Sequence, residues 1–283
     1  MVYTRPAEEL AGQGGCRVKT IVVTGSTRGI GFGLANAFLD LDCNVVVSGR
    51  TQEAVDETVE SLAAQHERER ILGRPCDVTD YRQVQALWDG AAARFDTVEI
   101  WINNAGISHP TVDFWTHPPQ RIRAVVETNL VGAMYGASVA LSGMQEQGHG
   151  ALYNMEGLGS SGPMVPGMTL YATTKSALSY LTEALSKEVE GSGLIVGALQ
   201  PGMVVTDLLM GREGEGERGP PDARSRRVMN ILADRVETVT PWLAREALAN
   251  ERNGAHIRWL TQWKVLGRFA SAPFHERHVL PEG

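Results

Sequence analysis

At 283 residues, with 43% apolar and 21% charged residues, the chain has the length and composition of one large globular domain. A net charge of −7 excludes nucleic acid as the main partner, because phosphate binding needs a basic face. Three cysteines without a CxxC pair and seven scattered histidines without an HExxH pattern predict reduced thiols and no metal site.

In chain order, residues 1–17 are polar and contain acids, so a flexible leader is expected. It has neither the apolar core of a signal peptide nor the acid-poor, Arg/Ser-rich character of a transit peptide. A cytoplasmic location is therefore expected; a plastid stroma or thylakoid surface would require a transit peptide already removed. No apolar run reaches the roughly 18 residues of a spanning helix.

"VKTIVVT" predicts a first strand, "GSTRGIG" a tight turn, and Ala35, Phe38 and Leu41 a helix face. "NVVVSGR" predicts a second strand, and "QEAVDETVESLAAQHERER" an amphipathic helix. The alternation continues through "ILGRPCDVTD", a helix around Val84, Leu87 and Trp88, and the strand "TVEIWINNAG". A helical stretch over 121–147 precedes the strand "GALYNM"; a helix over 169–190 precedes "GLIVGALQPG". Short apolar runs alternating with helices predict an α/β fold, a single doubly wound Rossmann-type parallel sheet with helices on both faces.

After Leu209 the chain becomes rich in Gly, Pro and charge, so 210–228 reads as a flexible surface loop or a substrate lid. A helix from Pro241 to Asn250 and the strand "AHIRWL" complete one domain over 18–261, with 262–283 as a C-terminal tail capping the substrate side. From Arg252 onward five Lys/Arg face two Asp/Glu, a net of +3. Trp259, Trp263, Phe269 and Phe274 interleave there with Arg258, Lys264 and Arg268. Such a mixture suits a flat apolar anion or a membrane surface, or equally the closing of the sheet and a subunit contact.

Thr24-Gly25-Ser26-Thr27-Arg28-Gly29-Ile30-Gly31 lies between the first strand and first helix. Glycines there let the backbone approach a pyrophosphate at the helix N-terminus. Arg50 ends the second strand, where an acid would hold a ribose 2′-hydroxyl. With Arg28 it would instead receive a 2′-phosphate, which points to NADPH/NADP+. Tyr171 and Lys175, four apart on one helix face, suit proton delivery to a carbonyl: the ammonium favours the phenolate.

Together with Asn103-Asn104-Ala105-Gly106 and Pro201-Gly202, these motifs stand in the order of the short-chain dehydrogenases/reductases, a family that residues 18–261 resemble. The resemblance implies adenine contacts at Asp77 and Val78, a ribose wall formed by Asn103, Asn104, Ala105 and Gly106, and a proton-relay water held by Asn129. It also implies cofactor contacts at Tyr171, Lys175, Pro201, Gly202 and Thr206, and a homodimer or homotetramer formed through the helices near 121–147 and 169–190.

The family usually places a carbonyl-polarising serine three residues after the strand asparagine, or thirteen before the tyrosine. Here those counts fall on Gly157 and Leu158. The nearest hydroxyls are Ser160 and Ser161, of which Ser160 is expected to turn inward, aided by the glycines around it. Glu156 is expected to orient substrate, act as a second acid or cap the turn. "NMEGLGSS", "QPGMVVTDLLM" and the C-terminal aromatic stretch resemble the chlorophyll(ide) b reductase branch. That implies NADPH-dependent reduction of the 7-formyl group of chlorophyll b or chlorophyllide b. Reduction of another aldehyde or ketone, such as a 3-oxoacyl or lipid carbonyl, and a non-catalytic NADP-binding sensor are the alternatives.

Overall fold

The computed structural model describes residues 18–160, 164–210, 223–275 and 277–280. The leader over 1–17 with Cys16, the hydroxyl of Ser161, and most of the 210–228 segment lie outside the described residues.

Seven strands form one parallel sheet. In chain order they are β1 (Thr20–Val23), β2 (Asn44–Gly49), β3 (Ile71–Pro75), β4 (Ile100–Asn103), β5 (Gly150–Met155), β6 (Leu194–Gln200) and β9 (His256–Arg258). Their spatial order is β3-β2-β1-β4-β5-β6-β9, so the winding reverses between β1 and β4. A crevice at the carboxyl ends of the strands follows from that reversal. β7 (Val204–Val205) and β8 (Asp234–Arg235) make a separate two-stranded pair beside it.

The strands are apolar on both faces because both faces are covered. Helices α1 (Gly29–Leu39), α2 (Gln52–Ala63) and α9 (Val236–Ala249) pack Leu34, Phe38, Val55, Leu62 and Leu243 on one side. On the other, α3 (Tyr81–Phe95) and α5 (Gly132–Gln147) bury Leu87, Trp88, Ala140 and Met144 against Trp101 and Leu152. The helix α6 (Thr169–Glu188) lies on this second side against β5 and β6. Cys43 and Cys76 are buried free thiols, as the cysteine spacing suggests.

Several boundaries differ from the periodicity reading. The α2 helix stops at Ala63 because the apolar stripe ends at Leu62; His66 then turns to bond Asn36 on α1 at 3.0 Å. Pro241 sits inside α9 rather than starting it, and the helix begins five residues earlier at Val236. The 121–147 stretch starts at Pro119 as α4 (Pro119–Val126), then passes through a π turn, Glu127–Val131, into α5. By length and composition this stretch could cross a bilayer, yet 44% of its apolar window is buried within the domain.

The C-terminal region is less loose than its composition suggests. Its helices α7 (Asp207–Met210) and α8 (Ala223–Leu232) give helical structure to both ends of the expected loop, and α10 (Gln262–Ser271) occupies the expected tail. Asp234 ties these parts together: it accepts from Trp259 Nε1 at 2.6 Å, Arg268 at 2.7 Å and Arg277 at 2.7 Å. Burial raises the Asp234 pKa, but these donors outweigh it and hold the carboxyl below the usual range.

Candidate active site

The crevice holds a cavity of about 1630 Å³ running from the β1–α1 turn to α10. Its floor is built first by glycines. Gly25 has φ +62, and a Cβ there would stand 2.8 Å from the Ala105 Cα. A Cβ on Gly31 would stand 2.4 Å from the Gly25 carbonyl oxygen, so only glycine allows α1 to start this close to the turn. Arg28 is the N-cap of α1 and provides no side-chain cap, so the first N–H groups of the helix face the cavity. This is a backbone cradle suited to an anion.

Thr24 and Ser26 lock the turn from beneath. Thr24 Oγ1 donates to the Ile102 carbonyl at 3.2 Å and accepts from the N–H groups of Asn104 and Ala105 at 3.0 and 3.1 Å. Ser26 is fully buried; its hydroxyl donates to Val23 O at 2.8 Å and accepts from Ser48 N at 2.9 Å. Ser26 is thus a strut between β1 and β2 rather than a wall of the cavity. Thr27, Arg28, Gly29, Ile30, Gly31 and Arg50 do line it.

Farther along the same wall are Asp77 and Val78, then Ala105 and Gly106. One Asp77 oxygen accepts from the Thr79 N–H at 3.0 Å and hydroxyl at 2.8 Å, which orients the loop after β3. Asn103 departs from the expectation. Its side chain is buried, accepts from Trp101 Nε1 at 2.8 Å, and donates to Ala133 O and Asn154 Oδ1 at 3.0 and 2.9 Å. It splices β4 to β5 and α5, which leaves Asn104, Ala105 and Gly106 of the expected four on the wall.

Asn129 lies in the π turn, a distortion that disturbs the regular helical bonds and recurs at functional sites. Its amide grips the Ile107 backbone, accepting from N–H at 2.8 Å and donating to C=O at 2.9 Å. The same amide donates to Thr174 Oγ1 at 3.3 Å, so it joins α6 to the wall after β4. On the far side Pro201, Gly202 and Thr206 line the cavity. Gly202 needs its φ of +74, and a Cβ on Gly29 would meet the Thr206 methyl at 3.4 Å across the cleft.

Tyr171 and Lys175 both line the cavity from the start of α6. The Lys175 Nζ lies 5.7 Å from the Tyr171 ring centre and donates to Met155 O at 2.7 Å. Lys175 is buried, which pushes its pKa down to about 8, although the nearby Glu156 carboxylate opposes the shift.

The expected inward turn of Ser160 does not occur. Its hydroxyl donates to the Lys175 carbonyl at 3.0 Å and accepts from the Gly157 N–H at 3.3 Å. Gly159 explains this: at φ +104 it lies so close to α6 that a Cβ would stand 2.3 Å from the Ala172 carbonyl oxygen. The loop therefore presses Ser160 onto the helix. Gly157 occupies the place beside the phenol, where a Cβ would come 2.9 Å from the Tyr171 hydroxyl.

Glu156 lines the cavity, yet its side chain is buried. One oxygen, Oε2, accepts from Gln200 Nε2 and lies 3.8 Å from His256 Nδ1; Oε1 has no hydrogen-bond partner among the described residues. His109, which the sequence reading missed, holds α6 in place. Its Nε2 accepts from the Tyr171 N–H at 3.0 Å, while Nδ1 donates to Pro110 O at 2.7 Å. Its ring meets His117 edge-on with centres 4.5 Å apart. A lone histidine in a loop has no sequence period that would reveal such a cap.

The outer cavity is apolar, with Val165, Met203, Leu209, Met229, Trp263 and Leu266 among its walls. Of the C-terminal aromatics, Trp259 packs on Trp242 at 5.5 Å beneath Lys264, whereas Trp263 and Phe274 are exposed.

Comparison with known proteins gives three consistent results. The family described as short chain dehydrogenase matches residues 19–215. The chlorophyll(ide) b reductase NOL, chloroplastic, of Oryza sativa subsp. japonica is 33% identical over 263 residues, covering 89% of this chain and 74% of that protein. A 3alpha-hydroxysteroid dehydrogenase of Mediterraneibacter gnavus is 32% identical over 191 residues, covering 68% of this chain and 76% of that one. Among solved structures, ElxO with NADP bound superposes with a TM-score of 0.74 at 26% identity, over 85% of this chain and 96% of that one.

Proposed function

Taking as premise that the chain belongs to the short chain dehydrogenase family and is an NAD(P)-dependent oxidoreductase, we propose that it reduces the 7-formyl group of chlorophyll b or chlorophyllide b with NADPH. The carrying observation is the 33% identity to the rice reductase along 89% of the chain. The apolar outer cavity and the bare Gly157 support it from the structure.

The residues present fit a dinucleotide. The uncapped start of α1 faces a pyrophosphate, and the exposed Arg28 and Arg50 face a 2′-phosphate. Asp77, Val78, Ala105 and Gly106 take the adenosine, and Tyr171, Lys175, Pro201, Gly202 and Thr206 the nicotinamide end. When bound, the cofactor supplies the hydride. Tyr171 gives the proton to the carbonyl oxygen as negative charge builds there, and the Lys175 ammonium steadies the phenolate left behind. Asn129 holds the Ile107 wall and α6 in register for both.

Loss of the usual serine has a chemical counterpart. An aldehyde is more electrophilic than a ketone and needs less polarisation, so one donor, Tyr171, suffices for a formyl group. Gly157 leaves the space beside that donor open to a rigid, bulky ring system. Gly157→Ala is accordingly expected to lower kcat by about 10- to 100-fold, since displacing a reacting group by about 1 Å costs that much. NADPH affinity should hold, and steady-state kinetics beside a cofactor titration check both; an unchanged kcat would show that the phenol has room to move.

The direct assay mixes the protein with chlorophyllide b and either NADPH or NADH, following the Soret band. A shift with NADPH and a much weaker one with NADH are expected. No shift, with turnover of small ketones, would sink the tetrapyrrole substrate. Equal rates with both cofactors would sink the 2′-phosphate role of Arg28 and Arg50. The similarity to a 3alpha-hydroxysteroid dehydrogenase favours a second reading, a polycyclic ketone or alcohol in the same apolar cavity. For assembly we propose a homodimer or homotetramer through α5 and α6, whose exposed Met134 and Tyr180 are apolar surface available for burial.

A further inference from the structure

The cations around the cavity are unevenly committed. Those that line it are Arg28 and Arg50 at the end that fits a dinucleotide, Lys175 beside Tyr171, and Arg258 at the end of β9. Farther along the chain the basic side chains are tied up within the protein. Arg268 and Arg277 each bind Asp234 at 2.7 Å. Lys264 Nζ stands 3.2 Å from the Trp259 ring centre and donates to the Trp259 carbonyl. Arg258 differs from all of these: it is exposed and, among the described residues, has neither an ion pair nor a side-chain hydrogen bond. The acids that line the cavity, Asp77, Glu156 and Asp207, leave it unpaired.

The sheet register acts as a ruler for this residue. Arg258 pairs with Gln200 of β6, and Leu199 of β6 pairs with Met155 of β5, so three strand ends lie side by side. At about 4.8 Å between neighbouring strands, Arg258 stands roughly 10 Å across the sheet from the end of β5. Just past that end Gly157 meets the Tyr171 hydroxyl, where a reacting carbonyl would sit. The cavity walls around Arg258 are apolar, with Met203, Leu260, Trp263 and Leu266 among them. A rigid ring system seated against such walls takes water away from the guanidinium. A cation desolvated without an acceptor is strongly unfavourable, so a ligand that fills this space is favoured if it brings an anion. One guanidinium fork matches one carboxylate. The phosphate-ready corner, with two arginines and a helix start, is at the opposite end of the cavity.

The geometry points to Arg258 as a carboxylate subsite that selects rigid polycyclic carbonyl compounds bearing a free acid at the end remote from the carbonyl. The inference rests on the reductase reading above for the place of the carbonyl, and it narrows the substrate class of that site. Chlorophyllide b has the required layout: its propionic acid is carried on the ring diagonally opposite the formyl-bearing one. In chlorophyll b the same group is a neutral ester, which leaves the guanidinium without an anion. Arg258 therefore favours the free acid over the ester. A 3-oxo steroid with a carboxylic side chain has the same layout, so the selection holds for the polycyclic-ketone reading as well.

The test compares each free acid with its methyl ester at saturating NADPH, chlorophyllide b in one pair and 3-oxocholanoic acid in the other. Wild type is expected to favour the acid by about 10- to 100-fold in kcat/KM, the usual effect of one charge-assisted hydrogen-bonded contact. Arg258→Gln should abolish that preference, chiefly by raising KM for the acid. Arg258→Lys should restore part of it, because a point charge lacks the fork. Added salt should weaken the preference in wild type. NADPH fluorescence titration checks that both variants fold; should neither fold, the wild-type ratio and its salt dependence decide. Equal kcat/KM for acid and ester, or a preference that outlives Arg258→Gln, overturns the subsite. Turnover of the steroid pair alone sinks the tetrapyrrole substrate and leaves its acid-to-ester ratio to decide on Arg258. Turnover of neither pair overturns the proposed class of substrate and the subsite with it.

Discussion

Tyr171→Phe is expected to lower kcat for carbonyl reduction by about 10²–10⁴-fold, the usual worth of a positioned general acid, with a far smaller change in NADPH affinity. The substitution removes one oxygen and leaves the ring, so α6, the His109 cap and the place of Lys175 persist. The expected loss sits at the upper end because, among the described residues, no other hydroxyl takes over: Ser160 is bonded to the Lys175 carbonyl, and Gly157 has no side chain. Steady-state rates with chlorophyllide b, beside NADPH fluorescence titration, separate the two effects. Turnover surviving in the variant would mean that the proton comes from elsewhere, and the mechanism would fail.

A second large effect belongs to Lys175 and is read in pH. Burial brings its pKa down from 10.5 to about 8, with Glu156 opposing. Below about pH 8 the ammonium is present and pulls on the phenol; above it the amine is neutral and the pull is lost. kcat/KM for reduction is therefore expected to fall as pH rises through about 8, and Lys175→Met to lower activity at every pH. A flat profile to pH 10 would refute this.

Stability moves the opposite way. Below about pH 8 both folded and unfolded chains carry the Lys175 proton, and the folded one bears the cost of burying it. Between about 8 and 10.5 only the unfolded chain binds that proton, so stability rises with pH across the window. The gain is on the order of 3 kcal/mol at about 1.4 kcal/mol per pKa unit. Cys43 and Cys76, pushed up by burial to about 11 and about 12, act in the reverse sense as their unfolded thiols ionise. Urea titrations of wild type against Lys175→Met across that window cancel the thiols. A stability difference independent of pH would show that Lys175 is not strained by burial.

Much of the site was legible because it is local. The glycine turn needs a strand before it and a helix after it, and both are visible as short apolar runs in Ile21–Val23 and Leu34–Phe38. Tyr171 and Lys175 need only helical spacing. The misreadings, Ser26, Asn103 and Ser160, share one cause. Each is a small polar residue next to the site, and its direction is set by a partner that no spacing reveals. Ser26 bonds Ser48 on the neighbouring strand, Asn103 bonds Asn154, and Ser160 bonds a carbonyl on α6.

The sequence by itself determined the alternation that becomes a parallel sheet, the glycine turn and the helical spacing of Tyr171 and Lys175, because each is written within one or two turns of chain. Tertiary structure decided what surrounds that pair. It brought His109 to the Tyr171 N–H from 62 residues away, and it set Glu156 beside Gln200 and near His256 across three strands. It also left Gly157 against the phenol in place of a hydroxyl. Burial turns these chance neighbours into chemistry: out of water, a histidine becomes a helix cap and a lysine approaches neutrality.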